Sequence, residues 1–294
     1  MVLLSNANEY MKKDLISVTS RCFNESKEIV TYFFENKFKT ENCFVCLEND
    51  KPVSVVNILD QKLMLKNKLY KVGYVYGACT LPEFRGKGYM KKLLNYAESC
   101  IASKGYDCAV LVPESRYLER FYENIGYRNF FKTKSVFLSK NEMIKLSEKE
   151  SKENLNGKFL SYPMERLRCC LYNDFNGIVY ECEDIDYAVN LYRKFGGNIV
   201  SADRCYTIGV PMNDFTVELK DFTCDFCDVD KLVSEVLRKF SNYEIYLVKT
   251  NSLNTCFNHC GSINFYGMIK PLNKSFSDEI NNTDTEAYLG LAFD

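Results

Sequence analysis

Residues 74–94 read YVYGACTLPEFRGKGYMKKLL. The apolar start predicts a β-strand, residues 85–88 (RGKG) form a basic, glycine-rich turn, and Met90, Leu93 and Leu94 begin an apolar stripe with helical spacing. A helix that begins in such a turn offers free backbone N–H groups and a positive dipole end to an anion. Glycine also lets the backbone approach a ligand closely. The stretch therefore predicts a cradle for a pyrophosphate group at the start of a helix.

The first half of the chain alternates helical and strand patterns around this stretch. Helices are expected over residues 9–22, 25–36, 86–104 and 117–124, with Met11, Leu15, Val18 and Cys22 on one face of the first. Strands are expected over residues 2–4, 43–48, 52–58, 62–65, 70–80, 108–112 and 131–138. This alternation predicts a mixed α/β (α+β) domain over residues 1–138.

A polar segment separates this domain from the rest of the chain. Residues 139–158 are charged and contain few apolar side chains, which is typical of a linker with at most one helical turn. Beyond it the order of elements repeats in weaker form and predicts a second domain over residues 159–294. Its expected helices span residues 184–194 and 229–240, and its expected strands span residues 198–210, 215–222, 244–248, 263–269 and 287–293.

Residues 82–88 (PEFRGKG) match in full the Pro-x-x-Arg-Gly-x-Gly pattern that lies between a strand and a helix in the GNAT superfamily of acetyl-CoA-dependent N-acetyltransferases. The resemblance extends over about residues 1–138. It implies the GNAT fold, a mixed central sheet flanked by helices, with acetyl-CoA as co-substrate. It also implies that the strand over residues 108–112 diverges from the strand before the motif. The thioester would lie in the wedge-shaped gap between these two strands.

The resemblance assigns cofactor contacts by position. The strand before the motif would offer its backbone to the pantetheine amides, the turn would bind the pyrophosphate, and two residues would lie at the end of the diverging strand. These candidate cofactor-binding residues are Ala78, Cys79 and Thr80, then Arg85, Gly86, Lys87, Gly88, Tyr89 and Met90, and finally Pro113 and Glu114.

Residues 121–127 (FYENIGY) resemble a second GNAT element, a helix with a tyrosine shortly before an aliphatic-Gly-aromatic turn. In that family the tyrosine protonates the departing CoA thiolate, and Tyr122 holds the matching position. A phenol with a pKa near 10 is a suitable proton donor to a thiolate formed beside it. The alternative is that Tyr122 is one more packed aromatic side chain among 21 Tyr and 21 Phe residues.

The reaction also needs a base, because an alkylamine is mostly protonated at neutral pH. Many relatives place a glutamate on the strand before the motif, whereas residues 75–80 (VYGACT) contain no acid. Cys79 lies where the thioester is expected, so it is a candidate acyl-carrying nucleophile. No histidine accompanies it, since His259 is the single histidine of the sequence. Direct transfer is therefore favoured, with Cys79 as a small packing residue.

Residues 196–200 (GGNIV), Tyr206 and the pair Glu218-Leu219 lie in a stretch of the second half with a recognisable pattern. This stretch resembles the degenerate, cofactor-free second domain of the Eis-type (enhanced intracellular survival) tandem acetyltransferases. Its strand-to-helix junction, residues 222–230 (FTCDFCDVD), has no glycine and no base but three aspartates, which would repel a pyrophosphate at a helix N-terminus. In the Eis type the C-terminal carboxylate acts as base in the first domain. The chain here ends in an apolar strand closed by Asp294, so Asp294 is a candidate base. An edge strand that ends at the surface is the alternative.

The cysteines raise the question of a zinc site. Cys224, Cys227, Cys256, His259 and Cys260 are suitable ligand types, but the separation of the two groups matches no standard finger. The chain has 14 cysteines, so a C-x-x-C pair also arises by chance. No metal is expected, and a zinc-dependent interaction protein is kept as a minor alternative.

Composition limits the function classes. With 38 basic and 39 acidic residues the net charge is −1, which argues against a nucleic-acid-binding footprint. No apolar run is long enough to span a membrane, and the first residues do not read as a signal peptide, so a cytoplasmic protein with reduced thiols is expected. The sequence thus predicts a cytoplasmic N-acetyltransferase that acts on a primary amine, more readily on a small molecule than on a protein. A non-catalytic acyl-CoA-binding or sensing module is the alternative, and an oligomer is compatible with either.

Overall fold

The computed structural model describes residues 2–148, 175–224, 228–257, 260–281 and 287–291. Over these residues the chain is a mixture of strands and helices, so the predicted mixed α/β class is confirmed. Part of the predicted linker (residues 149–158) lies outside the described residues, as do Cys227, His259 and Asp294.

Twelve strands and eight α-helices are present in the described part of the chain. In chain order they are β1 (Val2–Asn6), α1 (Lys12–Phe23), α2 (Lys27–Asn36), β2 (Cys43–Glu48), β3 (Lys51–Leu65), β4 (Lys68–Thr80), α3 (Tyr89–Ser103), β5 (Cys108–Leu111), α4 (Arg116–Glu123), β6 (Arg128–Ser139), α5 (Lys140–Ser147), β7 (Gly177–Val179), α6 (Cys182–Lys194), β8 (Asn198–Ala202), β9 (Cys205–Pro211), β10 (Thr216–Thr223), α7 (Val229–Lys239), β11 (Ile245–Thr250), β12 (Ser262–Pro271) and α8 (Lys274–Asn281).

The chain divides into two compact units. Unit 1 comprises Met1–Leu63, Leu69–Asn129 and Gly267–Asp284, and unit 2 comprises Met64–Lys68, Phe130–Tyr266 and Thr285–Asp294. Unit 1 therefore takes in the end of β12 and all of α8, which come from the second half of the sequence.

In unit 1 the strand order is β1-β2-β3-β4-β5-β12. The neighbours β1–β2 and β2–β3 are antiparallel, β4 and β5 run parallel, and β12 pairs antiparallel with β5 from Met268↔Leu111 to Pro271↔Cys108. Of the apolar stripe predicted on α3, Leu93 and Leu94 are buried and Met90 is partly buried; they pack on the sheet together with Phe44, Val56, Ile58 and Met268. This packing fixes the start of α3 beside the end of β4.

Short side chains define the helix starts of unit 1. The Asn8 side chain accepts a hydrogen bond from the Met11 N–H, Ser26 from the Ile29 N–H and Ser115 from the Leu118 N–H. The first helical region expected over residues 9–22 is accordingly present, as a 3₁₀ turn (Glu9–Met11) followed by α1.

In unit 2 the strand order is β6-β11-β10-β9-β8. The helix α7 buries Leu232, Val233 and Val236 against this sheet, as its apolar stripe predicts. Within the segment predicted as a linker, residues 140–147 form α5, where Ser139 and Glu142 make a capping box and Met143 is buried.

Three of the predicted strand segments have a different arrangement in the structure. Residues 51–65 form one long strand where two were expected, because Asp60 has partners that stabilise it within a strand. The expected strand over residues 198–210 is a hairpin of β8 and β9, with Asp203 at φ 49° in its turn. The expected strand over residues 287–293 shows only two isolated bridges in its described part, at Ala287 and Tyr288.

Candidate active site

The strands β4 and β5 pair over a short length and then separate. Their parallel register runs from Val72↔Cys108 to Tyr74↔Val110, whereas β4 continues to Thr80. Ala78, Cys79 and Thr80 therefore lie beyond the last pair. Gly77 interrupts β4 with a φ of +60°, a backbone conformation that side chains disfavour. The separation leaves backbone of β4 beside an opening, as the resemblance implies for a pantetheine site.

The turn after β4 holds two glycines in the left-handed region. Gly86 has a φ of +77° and Gly88 one of +75°. A Cβ added to either would meet no other atom within 4 Å, so the space beside both residues is open. Here the backbone conformation requires glycine, and the open space leaves room for a ligand at the turn.

Backbone N–H groups point out of the start of α3. Gly88 precedes the helix and has no side chain that could accept from the first turn. The first hydrogen bond of the helix runs from the Lys92 N–H to the Gly88 carbonyl, at 3.2 Å. The N–H groups of the residues before Lys92, Tyr89 and Met90 among them, therefore have no acceptor within the helix. Together with the helix dipole they form a site for an anion.

Charged side chains surround this turn. Arg85 is exposed, and its Nε donates to the Thr80 carbonyl at 3.0 Å, which ties the turn to the end of β4. The exposed Lys87 places its Nζ 4.7 Å from the centre of the Phe84 ring. On the other side of the helix start, the Tyr89 hydroxyl donates to Glu48 Oε1 at 2.9 Å. The turn therefore carries two exposed cationic side chains, Arg85 and Lys87.

Tyr122 lies on α4 and is only 7% exposed. Burial raises the pKa of its phenol to about 12, with smaller contributions from Cys79 and from Glu114, which stands between β5 and α4. Tyr122 is therefore near enough to Cys79 and Glu114, which the sequence assigned to the same site, to be influenced by their charges. The phenol stays protonated at neutral pH, as a general acid requires.

The turn after Tyr122 is held by its own backbone. The N–H groups of Ile125 and Tyr127 both donate to the Tyr122 carbonyl, at 3.0 and 3.1 Å. The rings of Tyr122 and Tyr127 meet edge to face with 5.6 Å between centroids. Gly126 has a φ of +98°, which explains the glycine in this turn.

Cys79 has a neighbour on α1 that the sequence did not associate with it. The Cys22 side chain interacts with the Cys79 thiol. Arg85 in turn hydrogen-bonds to Cys22. The one sequence signal was the predicted apolar face of the first helix, which included Cys22; a pairing 57 residues apart is visible only in the folded chain.

The strand-to-helix junction of unit 2, residues 222–230, carries acidic side chains where the turn of unit 1 carries basic ones. Asp228 precedes α7 and accepts from Lys231 Nζ at 3.0 Å, while Arg204 lies 3.5 Å away. Asp230 follows in the first turn, and residues 225–227 lie outside the described part. A helix start occupied by carboxylates does not attract a pyrophosphate.

Within the described residues, no group of three or more His, Cys, Asp or Glu side chains is arranged to hold a metal ion. Cys224 is buried, and its thiol hydrogen-bonds to Cys205 and Cys256, while Cys260 is exposed. Cys227 and His259, which the zinc alternative needs, lie outside the described part of the chain.

The model of the acetyltransferase (GNAT) domain family matches residues 4–130. Residues 4–130 are a GNAT domain. The match covers β4, the turn, α3 and α4, and therefore every candidate cofactor residue together with Tyr122. The match of this domain supports acyl transfer as its chemistry and N-acetyltransferase as the enzyme class. GNAT acetyltransferases in general take the acyl group from acetyl-CoA.

Solved structures show the same fold over nearly the whole chain. A GCN5-related N-acetyltransferase from Anabaena variabilis aligns with a TM-score of 0.73 at 14% identity, over 93% of this chain and 73% of its own. One from Kribbella flavida gives 0.67 at 12% identity, over 92% and 72%. Eis1 from Mycobacterium abscessus gives 0.64 at 10% identity, over 93% and 74%. At these identities the likeness concerns the fold, which agrees with the Eis-like tandem arrangement expected from the sequence.

No curated protein matches the sequence. Among the helices that the structure describes, none combines the length and the apolar character needed to cross a membrane.

Proposed function

We propose that this chain transfers the acetyl group of acetyl-CoA directly to a primary amine of a small molecule, at a single site in unit 1. The observation that carries the proposal is the meeting of three features at the end of β4. These are a left-handed glycine turn with free N–H groups, a strand end that has parted from its neighbour, and a buried phenol beside that strand end.

The cofactor would lie along these features. Its pyrophosphate would accept hydrogen bonds from the backbone N–H groups of residues 86–90, with Arg85 and Lys87 adding positive charge. Its pantetheine amides would pair with the backbone of residues 78–80, which lie beyond the last pair of β4 with β5. The thioester would then lie between β4 and the Pro113-Glu114 end of β5, close to Tyr122.

The chemistry follows from that placement. The amine nitrogen attacks the thioester carbonyl carbon, the C–S bond breaks, and the CoA sulfur leaves as a thiolate. Tyr122 donates its proton to that thiolate and is reprotonated from solvent, while the amine loses one proton to a base. A Cys79 acyl-enzyme is disfavoured, because the hydrogen bond with Cys22 and burial both raise the pKa of the Cys79 thiol well above its ordinary value.

We propose Asp294 as the residue that supplies or orients the base, because residues 75–80 carry no acid. Removing Asp294 and adding residues after it should each lower turnover with acetyl-CoA affinity unchanged. Unchanged turnover in both variants would leave a chain of water molecules as the base.

The first experiment is a calorimetric titration of the full chain with acetyl-CoA. One site per chain supports the site in unit 1, since the acidic start of α7 disfavours a second one. Two sites would contradict the assignment of unit 2, and no binding would refute the proposal. A panel of polyamines, aminoglycosides and amino-acid derivatives, with a lysine peptide as comparison, then tests the acceptor class.

A non-catalytic acyl-CoA-binding module is the second candidate, because the described residues offer no carboxylate on β4 to act as base. Turnover of any amine in the panel, lost in Tyr122→Phe with binding retained, would exclude it.

A further inference from the structure

A buried carboxylate lies beside the turn that follows Tyr122. It belongs to Glu98 on α3, and each of its two oxygens accepts from its own donor. The Tyr127 hydroxyl donates to Oε1 at 2.7 Å, and the Lys270 ammonium donates to Oε2 at 2.5 Å. Partners of this kind allow a charge to stay buried. Glu98, Tyr127 and Lys270 are called the Glu98 cluster below.

Tyr127 contacts Tyr122 through both backbone and side chain. Its N–H donates to the Tyr122 carbonyl at 3.1 Å and closes the turn. Its ring meets the Tyr122 ring edge to face, with 5.6 Å between centroids and 69° between planes. Both side chains are buried in one apolar cluster, so neither ring moves without displacing its neighbours. The position of the Tyr122 ring therefore depends on that of Tyr127.

The hydrogen bond to Glu98 fixes the direction of the Tyr127 side chain. Apolar packing restrains a ring only by contact, whereas a hydrogen bond also sets where its hydroxyl points. Burial and the charge of Glu98 raise the pKa of the Tyr127 phenol, so it stays protonated and remains the donor. Glu98 lies on α3, the helix that begins at the glycine turn. The cluster thus joins the helix of the pyrophosphate cradle to the turn that carries Tyr122.

Lys270 holds the carboxylate from a strand that comes late in the sequence. It lies on β12, which pairs with β5. A Cβ on Gly126 would lie 3.3 Å from the Lys270 Cε, and the Nζ lies 5.6 Å from the centre of the Tyr127 ring. Lys270 therefore contacts the turn and Glu98 at the same time. The family model ends at residue 130, so the second half of the sequence supplies this part of the support.

We propose that Tyr127 is a positioning residue for the general acid Tyr122, and that Glu98 and Lys270 hold it in place for that role. The inference rests on the proposed function. Tyr127 itself touches no reacting atom; it keeps the Tyr122 hydroxyl directed at the CoA sulfur while the C–S bond breaks. A displacement of about 1 Å costs about 100-fold in rate, and Tyr127→Phe, which keeps the ring, should lower kcat about tenfold.

The first test compares steady-state kinetics of Tyr127→Phe and the original chain, with an amine that is turned over. The KM for acetyl-CoA should stay within about twofold while kcat falls, because the glycine turn is unchanged. Tyr106→Phe is the matched control, since Tyr106 is also buried and its hydroxyl also donates to a carboxylate, that of Asp60. The control should keep its kcat within about twofold. Equal losses of kcat in the two variants would overturn the proposal.

A double variant shows whether Tyr127 acts through Tyr122. Once Tyr122→Phe has removed the proton donor, a residue that only positions it has nothing left to position. Tyr127→Phe should then change kcat by less than about twofold in the Tyr122→Phe background. A further tenfold loss in that background would mean an independent effect and would contradict the positioning role.

A spectroscopic readout tests the positioning without turnover. Tyrosine rings are labelled with ¹³C, and the signals that disappear in Tyr122→Phe identify Tyr122. A fixed ring should give separate signals for its two edges, and faster ring flips in Tyr127→Phe should average them. Glu98→Leu removes the acceptor, keeps an apolar side chain in the core and should have the same effect. Circular dichroism checks that both variants are folded. Unchanged Tyr122 signals in both would overturn the proposal.

The outcomes distinguish the two levels of inference. Absence of acetyl-CoA binding and of turnover with every amine would refute the proposed function and the catalytic part of this inference. Averaged Tyr122 signals would still show that the Glu98 cluster fixes the ring. Turnover with an unchanged kcat in Tyr127→Phe would refute the positioning role and leave the proposed function intact.

Discussion

Replacing Lys270 with methionine should destabilise unit 1 by about 3 kcal/mol. Lys270 on β12 forms an ion pair with Glu98 on α3, whose side chain is only 5% exposed. Glu98 also accepts from the Tyr127 hydroxyl at 2.7 Å. The Lys270 stem packs beside Gly126, with its Cε 3.3 Å from where a Cβ would lie. Methionine keeps most of that packing and removes only the charge.

The magnitude follows from the burial of the carboxylate that remains. Removing one partner of a buried ion pair costs about 3–5 kcal/mol, because the other charge stays buried without compensation. The Lys270 side chain is 20% exposed, which places the expected cost at the lower end of that range. At about 2–4 °C per kcal/mol for a chain of this size, the midpoint of thermal unfolding should fall by about 6–12 °C.

Urea unfolding followed by circular dichroism measures this effect. Lys274→Met on α8 is the matched control, because Lys274 is exposed, and it should change the free energy of unfolding by less than about 0.5 kcal/mol. In the double variant with Glu98→Gln, the second change removes the buried carboxylate charge that Lys270→Met leaves without a partner. It should restore at least about 1 kcal/mol of the free energy of unfolding. A loss below about 1 kcal/mol for Lys270→Met, or strictly additive effects of the two substitutions, would refute the reasoning.

Three further predictions concern the candidate site. Tyr122→Phe should lower kcat about 100-fold or more and leave the calorimetric Kd for acetyl-CoA within twofold, since only the proton donor is lost; equal loss of binding would contradict that role. Burial raises the pKa of Tyr122 to about 12, so the unfolded chain releases this proton near pH 10 while the folded chain keeps it. The free energy of unfolding should therefore fall by about 3 kcal/mol between pH 10 and pH 12. The urea midpoint of Tyr122→Phe should fall less over that range. Gly88→Ala and Gly105→Ala each place alanine at a φ near +75 to +79° and should each cost about 1 kcal/mol of stability. Only the first should weaken acetyl-CoA binding; equal effects on binding would argue against the turn as the pyrophosphate site.

The turn and α3 could be predicted from the sequence because their determinants are local. Glycines, a strand before them and an apolar stripe after them all lie within residues 74–101, and each feature constrains its neighbours. The start of the helix was placed three residues early, at Gly86, because the left-handed φ of Gly88 cannot be read from a composition pattern.

Errors arose where partners distant in sequence decide the local structure. Two strands were predicted on either side of Asp60, but the Lys39, Asn42 and Tyr106 side chains all donate to it, so β3 continues through that position. The helix α8 was missed because it is short and buries only Phe276 and Ile280.

The contacts around the candidate site also join residues that are distant in sequence, so they could not be predicted either. The contact of Cys22 with Cys79 joins α1 to β4 across 57 residues, and no periodicity encodes such a pairing. The addition of residues 267–284 to unit 1 depends in the same way on which strand pairs with β5.

The place of β12 beside β5 also sets an order of events during synthesis. The strand β5 ends at Leu111, but the part of β12 that pairs with it begins at Met268, 157 residues later. At about 5–20 residues per second, a ribosome needs about 8–30 s to make the chain between them. Through that interval one edge of β5 stays unpaired and Glu98 lacks its cation. A nascent chain therefore carries every residue of the glycine turn well before it can complete the unit that holds that turn in place.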